Sequence, residues 1–415
     1  MSGVTCPLFG KKKTFAALST SSDGRPSLSY PMSSPLTNTP SVGNPAAPSQ
    51  ADSSAPRPNL EGRTANPSGE ELAGNIENYI GMARVPVGLA GPLRLRGEYA
   101  KGDYNIPLAT TEGALVASFT RGMKAITLSG GALAKVISEG VQRAPYFRFT
   151  DLTSAAGFLQ WLETQYEEFE RITGENSRFA RLSSITPTLE GNAVTLMVEF
   201  TTGDAAGQNM VTICTDRICR FIAKNYPGEI IDWYLEVNAS GDKKASRVSF
   251  RTVRGKRVCA EVVVPRDIVV SVLKTTPETI DRFGRAACYG ALQSGTLGVH
   301  AHLANGLTAL FIACGQDVAC VAEAAVGTVR MEVTEAGDLY GSVTLPNLIV
   351  GTVGGGTGLP TQRECLEMID CYGAGGARRF AEIAAGVCLA GELSILAALA
   401  AGHFSAAHER LGRKG

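Results

Sequence analysis

Along residues 110–126, TTEGALVASFTRGMKAI, apolar side chains fall at Leu115, Val116, Phe119, Met123 and Ile126, the three-and-four spacing of a helix with one buried face. Thr110 and Thr111 stand where a hydroxyl accepts from first-turn N–H groups, so the pattern predicts a helix over 111–127. Glu112 then falls in the first turn, where a carboxylate is an ordinary partner of the helix dipole. Ser118, Arg121 and Lys124 line a second face at three-residue steps.

From 145 to 237 the period alternates. PYFRFT reads as a short strand, and residues 152–172 read as a helix through Leu159, Leu162, Tyr166 and Phe169. RLSSITPTLEG and NAVTLMVEFTT read as a hairpin joined around Leu189–Glu190–Gly191. GQNMVTICTDRICRFIAKN is a second helix, and IDWYLEVN closes as a strand. That order, β-α-β-β-α-β, is the ferredoxin-like unit.

On either side the character is mixed. ENYIGMARVPVGLAGPLRL (77–95) predicts a strand with tight turns, residues 302–313 a helix, and GTVGGGTGLP (351–360) a glycine-rich turn. AEIAAGVCLAGELSILAALAAG (381–402) is the most apolar run. Glu382 and Glu392 interrupt it, so it reads as a tightly packed core helix rather than a membrane span. The expected fold is α+β. The pattern divides the chain into a Ser/Pro-rich tail (1–65), a mixed segment (66–144), the alternating segment (145–237), a second mixed segment (238–378) and a C-terminal helix and tail (379–415).

Composition narrows the classes. Lys plus Arg equals Asp plus Glu at 39 each, so no net charge draws the chain to nucleic acid or an anionic membrane. Ten cysteines show no CxxC and no zinc-like spacing, and read as reduced thiols in a cytoplasmic setting. Residues 1–60 hold 12 Ser and 9 Pro with little apolar pattern; five basic against two acidic residues leave an organelle-targeting peptide as the alternative to a plain tail.

Several segments carry chemistry or an ordinary structural role. TTGDAAGQNM (201–210) joins a strand to a helix whose N-terminus could accept a pyrophosphate, or Asp204 could simply cap. The loop 351–358 allows close backbone approach to a ligand, or is a turn. SGDKKASR places Asp242, Lys243 and Lys244 in a turn, catalytic or merely solvated. Asp317 lies between two apolar helices as an N-cap or an acid, and His408 in a polar tail is a mobile proton carrier or an exposed imidazole. No HExxH and no Cys/His cluster supports a metal.

Together the segments ENYIGMARVPVGLAGPL, TTEGALVAS, RGMKAI, SRFARL, FTTGDAAGQNM, GDKK, ACGQD, GTVGGGTG and AGELSILAALAAGH, in this order from about Asn75 to His408, closely resemble 3-hydroxy-3-methylglutaryl-coenzyme A reductase of the first class, in a form without a membrane domain. The resemblance makes 66–144 and 238–378 two parts of one large α/β domain, with a long central helix and an inserted ferredoxin-like domain for NADPH. It implies reduction of the thioester to mevalonate and free coenzyme A, with Lys243 stabilising the carbonyl oxygen, Glu112 supplying a proton, Asp317 pairing with the lysine and His408 protonating the departing thiolate. It implies NADPH contacts at Ser177, Arg178, Phe179, Asp204, Ala205, Ala206, Gly207, Gln208 and Asn209, with Arg178 suited to a 2′-phosphate. It implies coenzyme A contacts over Ser118, Arg121, Lys124 and Lys274, and substrate contacts at Arg143, Lys244, Arg285 and Asn305.

The resemblance further implies a homodimer or homotetramer, one subunit supplying the nucleotide domain and its neighbour the residues around Glu112 and Asp317. Departures from the family pattern are Glu236-Val237-Asn238 before the lysine turn, His300, and Gln208 in place of methionine. The competing reading is a non-catalytic paralogue that binds coenzyme A thioesters.

Overall fold

The computed structural model describes residues 67–70 and 72–402. A hairpin of β1 (Val87–Arg96) and β2 (Lys101–Ala109) opens the regular structure, and α1 (Leu115–Leu128) follows. Residues 77–86 hold no regular element, so only the second half of the expected first strand forms. The anticipated α1 also begins later than its threonines indicate. Ala114 sits at φ 71°, left-handed, and the helix starts at Leu115. Glu112 is therefore on the loop ahead of the helix, its N–H bonded to Thr110 Oγ1 at 3.0 Å, which removes the dipole-partner reading. The buried face, Leu115, Phe119, Gly122, Met123, Ala125 and Ile126, is the one the period indicates.

Next come β3 (Leu133–Arg143), β4 (Tyr146–Arg148), α2 (Leu152–Glu163), α3 (Tyr166–Asn176), β5 (Arg181–Glu190), β6 (Ala193–Thr201), α4 (Gln208–Asn225) and β7 (Asp232–Tyr234). The single helix expected over 152–172 is thus two. Thr164 Oγ1 donates back to the Trp161 carbonyl at 2.7 Å, a local bond that competes with the helical ladder where the chain breaks. The final strand is short, three residues of the eight in IDWYLEVN. The hairpin turn falls at Gly191–Asn192, with Gly191 at φ 60°.

The second half contributes β8 (Gly255–Val264), the one-turn α5 (Arg266–Ile268), α6 (Pro277–Ser294), α7 (Leu303–Ala313), the short α8 (Val321–Ala324), β9 (Thr328–Val333), β10 (Leu339–Leu348), α9 (Pro360–Met368) and α10 (Ala377–Ala400). Apart from the separate β1–β2 hairpin, the strands form one antiparallel path, β7-β4-β6-β3-β8-β10-β9, with β5 on the other side of β6. β3 joins its two halves: Leu133–Gly140 pair with β8, and Val141–Arg143 pair with β6.

α10 passes through the middle, touching α1, α6, α7, β8 and β10. It is long and apolar enough to cross a membrane, but 83% of its most apolar stretch is buried within the protein. Its two carboxylates have structural work. Glu382, fully buried, accepts the N–H groups of Glu98, Tyr99 and Ala100 at 3.1, 2.8 and 2.7 Å, fixing the β1–β2 turn. Glu392, also fully buried, accepts those of Ala301 and His302 at 2.8 Å each, fixing the start of α7. Small residues set the helix separation: a Cβ on Gly122 would lie 1.8 Å from the Ala390 carbonyl oxygen, so α1 meets the α10 backbone directly.

Candidate active site

Lys243 stands in the turn between Asn238 and Lys244 at φ 55°, a left-handed conformation that costs a non-glycine residue roughly 1–2 kcal/mol. The turn is held from beneath. Glu323 on α8 accepts the Lys243 N–H at 3.1 Å and the Arg254 Nε at 2.7 Å. Arg254, with no exposed surface, also donates to Asp242 Oδ1 at 2.5 Å and to the Gln142 carbonyl at 2.9 Å. Arg143 adds a 3.4 Å contact to Asp242 Oδ2. Two guanidinium groups thus face two carboxylates, which offsets the cost of burying any one of them. Burial pushes the Glu323 carboxyl up, with Arg254 pulling it down.

So supported, the Lys243 ammonium projects to Asp317, Nζ to Oδ2 at 2.8 Å. Asp317 does both things its sequence position allows. Oδ1 caps the turn at Val318–Cys320 by accepting the Ala319 N–H at 3.1 Å, and Oδ2 pairs with the lysine. Its hydrogen bond to Asp317 raises the Lys243 pKa. Burial pushes the Asp317 carboxyl up, but the Lys243 hydrogen bond and charge, with the Ala319 N–H and the Cys320 thiol, outweigh burial and hold it below the usual carboxylate range. Glu112 forms a separate pair: Asn305 Nδ2 on α7 donates to its Oε2 at 2.9 Å. No hydrogen bond joins Glu112 to Lys243 or Asp317 among the described residues. His408 lies outside the described residues.

The residues that the resemblance assigns to NADPH fall in two places. Ser177, the C-cap of α3, accepts the N–H of Phe179 at 3.2 Å and of Ala180 at 2.9 Å, shaping the SRF loop. Arg178 lies 5.9 Å over the exposed Phe179 ring and, with Arg181, Ser177, Glu170, Thr173 and Gly174, lines a cleft of about 420 Å³. Two guanidinium groups in one cleft fit a phosphate-bearing ligand. The second place is the 201–210 loop. Gly207 at φ 79° starts α4 without a side-chain cap, leaving first-turn donors for an anion. The glycine-rich loop packs against it so closely that a Cβ on Gly351 would sit 2.4 Å from the Ala206 nitrogen. Asp204 is committed to a cap, of α10 rather than α4: its oxygens accept Gly375 and Ala377 N–H at 2.8 and 3.1 Å. Ala205 contributes its carbonyl to Thr202 Oγ1 at 3.0 Å, and Asn209 is exposed.

Gln208 reaches across to the lysine pair, with Nε2 at 3.4 Å from Asp317 Oδ2 and 3.1 Å from Cys320 Sγ. The 201–210 loop and Asp317 therefore meet within one chain.

Of the remaining positions, Ser118 and Arg121 turn to α10. Ser118 Oγ lies 2.9 Å from Ser394 Oγ, and Arg121 donates to that hydroxyl at 3.0 Å and to the Ser394 carbonyl at 2.5 Å. No carboxylate pairs with Arg121 among the described residues, and burial lowers its pKa. A half-buried cation held only by neutral acceptors fits an anionic ligand. Lys124 is exposed one turn on. Arg143 is 7% exposed and engaged with Asp242, Thr212 and the Gln208 carbonyl. Lys244 is exposed, with Nζ on the Asp242 carbonyl at 3.0 Å. Lys274, exposed at φ 61°, and Arg285, paired with Asp281 at 2.9 Å, are not bonded to the lysine pair. Sequence reading missed Arg254, Glu323 and Cys320, which no motif or spacing singles out; only their burial beneath the lysine turn does.

Known proteins resemble this chain in sequence and in fold. The family model for hydroxymethylglutaryl-coenzyme A reductase matches residues 54–413. The 3-hydroxy-3-methylglutaryl-coenzyme A reductase of Aeropyrum pernix is 50% identical over 353 residues, covering 83% of this chain and 84% of that protein. That of Pyrococcus horikoshii is 47% identical over 351 residues, covering 83% and 85%. A class II reductase of Streptococcus pneumoniae, solved bound to NADPH, shares the fold at a TM-score of 0.62 and 18% identity, covering 78% of this chain and 87% of that one. On the family model and these relatives, the chain belongs to the hydroxymethylglutaryl-coenzyme A reductase family.

Proposed function

We propose that this chain reduces 3-hydroxy-3-methylglutaryl-coenzyme A to mevalonate and free coenzyme A, consuming two NADPH and two protons, as a reductase of the first class. The observation that carries it is the Lys243–Asp317 pair at 2.8 Å, a cation fixed at a loop tip beside the nucleotide loop. Bound NADPH supplies the hydride for each of the two reductions. Lys243 stabilises the negative charge that grows on the carbonyl oxygen, a contribution of roughly 3–4 kcal/mol when such a donor is preorganised. Asp317 keeps the ammonium aimed and charged. Glu112, oriented by Asn305, delivers a proton to the same oxygen. His408, by resemblance, protonates the coenzyme A thiolate as it leaves.

Arg178 and Arg181 hold the nucleotide phosphate at the SRF cleft, and the α4 N-terminus takes the pyrophosphate. Arg121 and Lys124 face the coenzyme A phosphates, and Lys244 the substrate carboxylate. Residues 145–237 act as a ferredoxin-like nucleotide domain inserted in the large domain; the local order β7-β4-β6-β5, with α2, α3 and α4, supports that division. The chain works in the cytoplasm as a homodimer or homotetramer. Tyr289 and Leu292, 69% and 80% exposed on α6, support assembly.

Spectrophotometric titration tests the reading. Two NADPH should be oxidised per thioester consumed, with NADH a poor substitute. A ratio of one, or equal use of NADH, would count against it.

A further inference from the structure

Lys243 and Asp317 reach each other from two loops, but a third side chain meets the same carboxylate from the nucleotide side. Gln208 Nε2 lies 3.4 Å from Asp317 Oδ2, the oxygen that Lys243 holds, and 3.1 Å from Cys320 Sγ. The Gln208 backbone is itself pinned. Its carbonyl accepts Thr212 Oγ1 at 2.7 Å and Arg143 Nη2 at 3.3 Å. Gly207 ahead of it packs so tightly that a Cβ there would lie 2.3 Å from the Thr202 methyl. The amide is thus presented from a rigid platform at the first residue of α4.

Cys320 is fully buried. Burial first, then the charges of Asp317 and Glu323, push its thiol up to about 12, so it stays protonated. The thiol helps hold the nearby Asp317 carboxyl down. The Gln208 amide therefore touches both the Cys320 thiol and the Asp317 carboxylate, and that carboxylate holds the Lys243 ammonium. A methionine at this position would offer no side-chain N–H, so the connection depends on the amide.

We infer that Gln208 is a positioning residue for the reduction: its amide, set between the Cys320 thiol and the Asp317 carboxylate, holds Asp317 turned toward Lys243. Nucleotide loop and carbonyl-stabilising cation are thereby joined by one side chain. The inference rests on the reductase reading above. The charged and titratable groups facing Asp317, Gln208 and their partners are Lys243, Cys320, Glu323, Asp242, Arg143 and Arg254.

Gln208→Met and the near-isosteric Gln208→Glu test it, each alone and combined with Asp317→Asn. Gln208→Met should lower kcat roughly three- to tenfold, the effect of losing a modest hydrogen bond to a charged site. It should also move the acid limb of kcat/KM to higher pH, because Asp317 accepts a proton more readily without the donor. Gln208→Glu should move that limb further, since a second carboxylate disfavours the ionised form. In the ligand-free protein, the pH at which acid begins to lower the melting temperature should rise in the same order. In the Asp317→Asn background, Gln208→Met should add little further loss of kcat.

An unchanged acid limb with only the KM for NADPH raised would make Gln208 a nucleotide contact and overturn the inference. So would losses that simply multiply in the double variant. If the unaltered protein fails to oxidise NADPH with the thioester, the reductase reading falls instead. The ligand-free titrations then still decide whether Gln208 acts on Asp317.

Discussion

At Lys243 one side chain depends on a strained backbone, a buried base and a charged partner. The φ of 55° holds because Glu323 takes its N–H, and the ammonium is aimed because Asp317 takes its proton-rich end. Lys243→Ala should lower kcat by at least about a hundredfold for both the thioester and free mevaldehyde, as expected for loss of a preorganised charge stabiliser. His408→Ala should mainly harm thioester reduction, since no thiolate leaves when mevaldehyde is reduced. Equal loss of both activities would remove His408 from its assigned role. Glu112 was legible as a residue of interest but not as a free one. Only the late helix start at Leu115 and the Asn305 bond at 2.9 Å show that it is not spent on a helix end.

Among the elements, α10 shows how a hydrophobic run is made specific. Its apolar length alone fits a membrane or a core, and the two buried glutamates decide the use. Each gathers backbone N–H groups from a distant turn, so α10 orders the β1–β2 turn through Glu382 and the α7 start through Glu392. Glu382→Ala strands three donors near the core and should destabilise the protein by about 3 kcal/mol or more, at 1–3 kcal/mol for each unsatisfied group. Urea denaturation measures it; a change below about 1 kcal/mol would mean that water replaces the carboxylate. Gly122→Leu should be at least as damaging, because its Cβ would meet the Ala390 carbonyl and drive α1 off α10.

For the whole molecule, acid and alkali should act on the lysine pair from opposite sides. Asp317 has its pKa lowered on folding, so its contribution is present above the ordinary carboxylate value near 4 and is lost as pH falls through the folded value. Lys243 has its pKa raised, so its contribution is full below about 10.4 and is lost as pH rises through the folded value. Both side chains are more than a third exposed, at 43% and 38%, so screening keeps the gain small. The melting-temperature difference between the unaltered protein and Asp317→Asn should be largest between those limits and shrink outside them; a flat difference would mean that the pair contributes no charge-dependent stability. Buried Glu392, raised by burial, acts in the opposite sense and gives up stability as pH rises past the ordinary carboxylate range. If α6 carries the assembly, Tyr289→Lys with Leu292→Lys should move the light-scattering mass to that of a monomer.

The sequence by itself determined the periodic elements, because burial of one face leaves its period in the chain. The α1 face, the β5–β6 hairpin, α4 and the β-α-β-β-α-β order were readable for that reason. So was the resemblance, since the residues that carry it lie in short local motifs. Element ends were less so: Thr164 splits a helix and Ala114 delays one, through single local bonds and dihedrals that periodicity averages away. What only the tertiary structure decided are the contacts between residues far apart in the chain. Asp204 caps α10, 173 positions away from Ala377; Glu323 and Arg254 brace the lysine turn; Gln208 reaches Asp317. No local pattern encodes such pairings, because each depends on two segments being brought together by a core that neither segment contains.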